Sequence, residues 1–298
     1  MKITVGIPAF NEERKIGKII SQIQKITDSI IVCNDGSSDL TSEISRKMGV
    51  DVIDHSRNLG YGAAIKSIFL KARELNSDIL VTFDADGQHR IEDIEKVVSP
   101  IKNAECEIVI GSRFLGDSIN LPKYRRVGIK TITKITNLVT NSKISDSQSG
   151  FRAYSNRALN EIFPSEEGMG VSTEILIKAD KQNFRIKEVP ITILYDGDTS
   201  THNPVSHGTS VLLKTLKFIS IEKPLSFYGI PGIILLGIGL FFLVWVIQIF
   251  SESRVIGTNI AIIGIGSTLI GILLIMTAIL LFSLVNVVRE RNNHHGRL

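Results

Sequence analysis

Residues 229–250 carry no charged side chain, and neither do residues 255–288. These two runs limit the fold more tightly than anything else in the chain. At a helical rise of ~1.5 Å per residue the first reaches about 33 Å, close to the ~30 Å hydrocarbon core of a bilayer. The second is longer than one span needs, and its expected core is 262–284. Soluble buried helices rarely run so far without a charge, so two transmembrane helices are expected. Lys214, Lys217 and Lys223 precede the first span, and Arg289, Arg291 and Arg297 follow the second. The turn between them holds only Arg254, partly balanced by Glu252. The positive-inside rule places both ends in the cytoplasm, so a globular domain ahead of the hairpin belongs on the cytoplasmic face of the cell membrane.

The expected division is a globular domain at 1–205, a juxtamembrane amphipathic segment at 206–228, membrane helices at 229–288 and a cytoplasmic tail at 289–298. Within the amphipathic segment Lys214 and Lys217 stand opposite Leu213, Leu216 and Phe218. That pattern suits an interfacial helix or an ordinary domain helix. The chain opens on Met1-Lys2-Ile3-Thr4-Val5, which enters a strand directly with no secretory leader pattern. Its two cysteines, Cys33 and Cys106, give neither a metal spacing nor a disulfide framework, which fits a reducing compartment. Net charge is +4, but the basic residues are interleaved with acids. Nucleic-acid binding needs a clustered stripe, and the basic clusters here flank the spans instead, as an anionic membrane surface requires.

The first half alternates strands and helices. Strands are expected at 3–8, 29–33, 50–54, 78–83 and 107–110, with helices at 12–26, 39–48, 58–75 and 91–103. Ile16, Ile19, Ile20, Ile23 and Ile26 share one face of the first helix, and Ser38 or Asp39 caps the second. Later come a basic helix within 121–142, a strand at 148–154, a helix at 172–182, a strand at 186–195 and a polar loop at 196–208. The rhythm predicts an α/β fold with a mainly parallel sheet and helices on both faces. Ligands of such sheets bind beyond the carboxyl ends of the strands. Those ends carry 9–12, 34–38, 84–89 and 111–113, which hold most of the domain's unusual chemistry.

Asp84-Ala85-Asp86 follows the strand expected at 78–83. Two carboxylates at i and i+2 just past a strand can share one divalent cation, Mg²⁺ or Mn²⁺, and leave positions open for phosphate oxygens. Such a cation neutralises charge on a departing diphosphate. An EF-hand loop is excluded, because its sixth position would be His89 rather than Gly and it would follow a strand. An aspartyl-phosphate phosphatase normally carries its pair after the first strand, with Thr or Val where Gln88 stands. Two solvated loop aspartates are the plainest alternative.

The chain resembles the glycosyltransferases of family 2, of GT-A type, and within them the dolichol-phosphate mannose synthases and related polyprenyl-phosphate glycosyltransferases. The resemblance covers about 1–195. It rests on Ile7-Pro8-Ala9-Phe10-Asn11-Glu12-Glu13, Asn34-Asp35-Gly36-Ser37-Ser38-Asp39, Asp84-Ala85-Asp86-Gly87-Gln88-His89, Gly111-Ser112-Arg113-Phe114 and Asp146-Ser147-Gln148-Ser149-Gly150-Phe151-Arg152. It implies a GT-A, Rossmann-like domain joined to the two-helix hairpin. It also implies inverting transfer of one sugar from a nucleotide-sugar donor to a polyprenyl or dolichyl phosphate.

By the same resemblance Pro8, Phe10 and Glu12 would line the nucleoside, Asp35 would accept from the base, and the Cys33 backbone would lie beside it. Asp84, Asp86 and Gln88 would hold Mg²⁺ or Mn²⁺ and the diphosphate, with Ala85 between them. Arg113 would bind a phosphate. Asp146, Ser149 and Arg152 would lie near the acceptor, with Asp146 the base if one is used, or else a turn residue. A lipid phosphate is already an oxyanion, so positioning and charge neutralisation should supply most of the catalysis. Arg125, Arg126 and Lys130 would attract its head or form a solvated basic face. Glu174 would face the acceptor or cap a helix. His202 and His207 would close over the diphosphate or stand idle. The 196–204 segment lacks the Gly-rich basic block of the mannose synthases, which makes a UDP-hexose or UDP-N-acetylhexosamine at least as good a donor as GDP-mannose.

A processive polysaccharide synthase would add a Gln-x-x-Arg-Trp block, but the single Trp is Trp245, inside a span. A membrane-tethered sugar-nucleotide-binding subunit without turnover is the non-enzymatic alternative, and homo-oligomerisation is left open.

Overall fold

The computed structural model describes residues 1–116, 122–140, 142–193, 216, 220–221, 223–254 and 257–295, with side chains omitted at 123–124 and 288–295. The expected loop at 196–208, with His202 and His207, lies outside the described residues, as do Lys214, Lys217 and Arg297. The chain divides into two compact units, Met1–Thr215 and Leu216–Leu298.

In the first unit the chain runs β1 (Ile3–Ala9), α1 (Ile16–Ile23), β2 (Ile30–Asn34), α2 (Thr41–Lys47), β3 (Asp51–Asp54), α3 (Tyr61–Glu74), β4 (Ile79–Thr82), α4 (Asp93–Lys102) and β5 (Ile108–Ser112). There follow α5 (Lys123–Val139), β6 (Arg152–Ser155), α6 (Asn156–Glu161), α7 (Val171–Lys181) and β7 (Ile186–Pro190). The described strands form one sheet in the order β3-β2-β1-β4-β6-β5-β7. All neighbours are parallel except β6, which is antiparallel to both β4 and β5. The expected α/β class therefore holds, with one reversed strand inserted.

Strands β1, β2, β4 and β5 are almost wholly buried, as strands covered on both faces must be. Alternate side chains feed two cores. One gathers Val5, Ile7, Val32 and Val81 under Ile16, Ile20 and Ile23 of α1 and Ile94, Val97 and Val98 of α4. The other gathers Ile31, Cys33, Leu80 and Tyr154 under Ile65, Ile68 and Phe69 of α3 and Ile175 of α7. Four of the five isoleucines expected on the α1 face are buried. The fifth, Ile26, is 42% exposed, because the helix ends at Ile23 and the chain turns away. Neither Ser38 nor Asp39 is the N-cap of α2. That position is Leu40, while Asp39 bonds the amide and hydroxyl of Thr41.

In the second unit a π-helical turn, Leu225–Gly229, leads into α8 (Ile230–Ser253), and α9 (Thr258–His295) follows. Two stretches, Leu225–Ser253 and Thr258–Val287, are long and apolar enough to cross a membrane, each with mean hydropathy 2.7. They are mostly exposed, unlike the core helices of a soluble protein. Small residues let the two backbones approach closely. A Cβ on Gly239 would come within 2.5 Å of the Thr268 nitrogen, and one on Gly271 within 2.6 Å of the Leu236 nitrogen.

Candidate active site

The carboxyl ends of β1, β2, β4 and β5 carry the acidic and basic side chains that the motifs single out. Phe83 continues β4 by donating its amide to the Gly6 carbonyl, and Asp84-Ala85-Asp86 then leaves the sheet. Tyr61 donates its hydroxyl to Asp84 Oδ1 at 3.1 Å, and His89 Nε2 lies 3.4 Å from Asp84 Oδ2. The Asp84 side chain is 27% exposed, that of His89 only 6%. Asp86 Oδ1 accepts the Gln88 amide, and Lys15 donates to the Asp86 carbonyl. Ala85 lies between the two aspartates with its side chain buried in the core that α4 covers.

The two carboxylates are held differently. Burial works against ionisation of Asp84, but hydrogen bonds from His89 and Tyr61, with the charge of Arg113, outweigh it and lower its pKa. Burial and then the charge of Asp84 raise the pKa of Asp86. Glu12 is raised too, by burial first, with Asp86 and Asp39 adding to it against Lys15. Glu12, Asp84 and Asp86 therefore share one electrostatic environment.

Arg113 follows β5 and grips Asp146 bidentately, Nε to Oδ2 at 2.6 Å and an Nη to Oδ1 at 2.7 Å. Asp146 is fully buried. Glu188 of β7 accepts from the Ser145 amide, its hydroxyl and the Asp146 amide, so the whole turn is pinned from below. Of the two roles expected for Asp146, base or turn residue, the geometry favours the turn residue. A buried carboxylate clamped by a guanidinium orients Arg113 and is poorly placed to take a proton.

Arg152 is corrected. It is 1% exposed and donates to the carbonyls of Ser149, Ser172 and Ser147 at 2.8, 2.9 and 2.7 Å. It builds the loop ahead of β6 and does not face an acceptor. Glu174 neither faces an acceptor nor caps α7. It accepts from the Ser165 and Glu166 amides and from Lys178, stapling the preceding loop to the helix.

Asp35 is 4% exposed. Its oxygens accept from His55 Nδ1 at 2.7 Å and from the amides of Leu59 and Gly60. It anchors the loop ahead of α3, and any contact with a base must use a remaining lone pair. Cys33 is buried, and burial pushes its thiol up to about 12. Pro8 is buried in β1 opposite Cys33, whereas Phe10 is 39% exposed just past the strand. Ser149 is buried, and its hydroxyl has no hydrogen-bond partner among the described residues. Gln88 is half-buried beside the Asp pair. Arg125 and Arg126 sit half-buried in the first turn of α5, and the exposed Lys130 lies 5.8 Å from the Phe114 ring.

Sequence reasoning passed over Tyr61, His89, Lys15, His55 and Glu188. Tyr61 stands in Asn58-Leu59-Gly60-Tyr61-Gly62 and His89 closes the aspartate motif, so both adjoin recognisable blocks. The other three carried no local signal.

A model of glycosyl transferase family 2 matches residues 4–163. The chain belongs to this family. It is 37% identical over 229 residues to the UDP-N-acetylglucosamine–dolichyl-phosphate N-acetylglucosaminyltransferase of Methanococcus voltae, covering 70% of this chain and 89% of that protein. It is 30% identical to the dolichyl-phosphate hexose transferase of Haloferax volcanii over 74% of this chain and 95% of that one. The architecture also matches glucosyl-3-phosphoglycerate synthase of Mycobacterium tuberculosis, crystallised with Mn²⁺ and UDP. That likeness has a TM-score of 0.57 at 20% identity, over 72% of this chain and 79% of that one, and shows the shared fold.

The donor set of this glycosyltransferase family member suits a divalent cation. Among the described residues each Asp84 oxygen takes one hydrogen bond, and a carboxylate oxygen has two lone pairs, which leaves one on each for a cation. Asp86 Oδ2 has no hydrogen bond among the described residues. No cluster of three His, Cys, Asp or Glu forms a metal cage among the described residues. Two carboxylates without a cage are what Mg²⁺ or Mn²⁺ uses when water and phosphate oxygens complete the shell.

Proposed function

We propose that the protein transfers one sugar from a nucleotide-sugar donor to a dolichyl or polyprenyl phosphate at the cytoplasmic face of a membrane. The observation that carries the proposal is the Asp84–Asp86 pair at the end of β4, in a family 2 chain that also has two apolar helices long enough to span a bilayer. The names of the two curated relatives support a dolichyl-phosphate acceptor. The name of the Methanococcus relative also favours a UDP-linked donor over GDP-mannose.

The reaction is an inverting displacement. The acceptor phosphate oxygen attacks C1 of the sugar, the C1–oxygen bond to the nucleotide breaks, and the diphosphate leaves with the bonding electrons. The nucleophile is already an oxyanion, so no base needs to act, in keeping with the clamped state of Asp146. Phe10 and Glu12 face the nucleoside. Asp84 and Asp86, with Gln88 beside them, would hold Mg²⁺ or Mn²⁺. When bound, that ion neutralises charge on the departing diphosphate. Arg113, oriented by Asp146, supplies a second positive charge to a phosphate.

The test incubates membranes containing the protein with labelled UDP-glucose, UDP-N-acetylglucosamine and GDP-mannose, each with dolichyl phosphate and Mn²⁺ or Mg²⁺. The expected result is a labelled lipid from a UDP-linked donor, lost in Asp84→Asn. No labelled lipid from any donor refutes the proposal. Donor binding without turnover would instead identify a sugar-nucleotide-binding subunit.

A further inference from the structure

We propose that Tyr61 and His89 are positioning residues that fix the Asp84 carboxylate for its cation, in a cradle that only a glycine at position 150 leaves open. The inference rests on the metal-assisted reading above.

Three segments far apart in sequence meet at this one carboxylate. Tyr61 comes from the first turn of α3, His89 from the loop after the aspartate pair, and Gly150 from the loop ahead of β6. Each Asp84 oxygen receives one donor from a different direction, Tyr61 at Oδ1 and His89 at Oδ2. Rotation about the carboxylate bond would break both contacts, so the group is fixed in plane.

Both donors are themselves held. The His89 ring is wedged against Phe83 at 5.7 Å and Phe151 at 5.0 Å between centroids. Its backbone pairs with Ile193. Among the described residues its Nδ1 is buried with no hydrogen-bond partner, and the ring's one polar contact faces Asp84. A ring wanted only for packing would be better made of carbon. Tyr61 is seated by close backbone approach around it. A Cβ on Gly60 would come within 2.5 Å of the Glu167 carbonyl oxygen and one on Gly62 within 2.0 Å of that of Glu166. Glu174 staples that same loop.

Gly150 closes the case. A Cβ there would lie 2.4 Å from the Tyr61 hydroxyl and 2.8 and 3.0 Å from the two Asp84 oxygens. A methyl would take the space in which the hydroxyl meets the carboxylate.

The benefit is preorganisation. Asp84 and Asp86 repel one another without a cation, so an unheld carboxylate would swing away and have to return on binding. Groups that orient a metal ligand typically change metal affinity about 10–100-fold when removed.

The test titrates Mn²⁺ into the full-length protein in detergent with UDP present, by electron paramagnetic resonance, alongside thermal unfolding of the same samples. Tyr61→Phe and His89→Phe should each weaken Mn²⁺ binding about 10-fold or more. His89→Phe keeps an aromatic ring in the slot and removes the unpartnered Nδ1 together with the Nε2 contact to Asp84, so its thermal midpoint should stay close to that of the unmodified protein. Gly150→Ala should weaken Mn²⁺ at least as much. UDP affinity in EDTA should stay at the unmodified level in the two phenylalanine variants. Folded variants that bind Mn²⁺ as the unmodified protein does would overturn the proposal, as would lower thermal midpoints with unchanged Mn²⁺ affinity. If the unmodified protein binds no Mn²⁺ with UDP present, the metal reading itself falls, and the proposal with it.

Discussion

Replacing Arg152 with Met separates two roles for the largest fully buried side chain among the described residues. The structure gives it three hydrogen bonds to backbone carbonyls and leaves it 1% exposed. Charge-assisted hydrogen bonds contribute about 1.5–3 kcal/mol each, so removing three forfeits about 5–9 kcal/mol gross. Several kcal/mol return, because the guanidinium no longer has to be desolvated. A net loss of about 3–5 kcal/mol is expected, in line with breaking other buried charge networks. With a urea m-value of ~2 kcal/mol/M, the midpoint falls by about 1.5–2.5 M. Pulse proteolysis in urea, following the intact catalytic unit in detergent, measures it. Arg152→Lys should recover only part of the loss, because an ammonium lacks the planar fork that reaches three carbonyls. If Arg152→Met shifts the midpoint by less than about 0.5 M yet abolishes sugar transfer, the guanidinium acts on a substrate, and the structural assignment is wrong.

Glu174→Gln should destabilise the protein at pH 7 and much less at acid pH. Burial opposes ionisation of Glu174, but bonds from Lys178, Ser165 and Glu166 lower its pKa below the ordinary 4.5. Its contribution is therefore present above 4.5 and lost as pH falls through the depressed folded value, which urea midpoints against pH will show. Asp86→Asn has the opposite sign. Burial and Asp84 raise its pKa above 3.8, so the protonated form favours folding and that benefit is lost as pH rises through the raised value. The variant should unfold at a higher temperature than the unmodified protein at neutral pH without metal, while Mn²⁺ binding in the presence of UDP is lost. Gly271→Leu should force α8 and α9 apart, because a Cβ there already falls 2.6 Å from the Leu236 nitrogen. Cysteine pairs placed across the hairpin should then cross-link less efficiently, and unchanged cross-linking would contradict the close approach.

The sheet and the aspartate pair were legible because both are local. A buried strand shows as a short apolar run, a helix as an isoleucine face, and a strand-end motif as polar residues directly after the run. Direction was not legible. Nothing in Arg152-Ala153-Tyr154-Ser155 says that β6 runs against β4 and β5. Nor was the use of charge. Arginine is seldom fully buried, so Arg152 beside a loop reads as a ligand contact until its three carbonyls are seen. Asp146 read equally as a base or a turn residue, and only Arg113 and Glu188 on either side of it separate the two. The supports of Asp84 and Asp35 escaped for a related reason. Tyr61 and Asp84 are 23 positions apart, and His55 and Asp35 are 20 apart, so no local pattern joins them.

These contacts also decide how charge is balanced in the site. Burial first, and then the charge of a neighbouring carboxylate, raises Glu12 and Asp86 at the strand ends, with Asp86 acting on Glu12 and Asp84 on Asp86. A nucleotide diphosphate brings further negative charge to the same place. Arg113 cannot offset all of it, because its single positive charge is already shared with the buried Asp146 carboxylate. Under the proposed reading, donor and cation therefore favour each other. A diphosphate alone meets uncompensated carboxylates, and a cation alone finds two ligands and no cage. Such mutual dependence is a coupling free energy and works equally in both directions. It also explains why rigidity is concentrated on Asp84 and not on Asp86. Tyr61 and His89 hold Asp84 in orientation before either ligand arrives, while Asp86 has one hydrogen bond among the described residues, from the Gln88 amide.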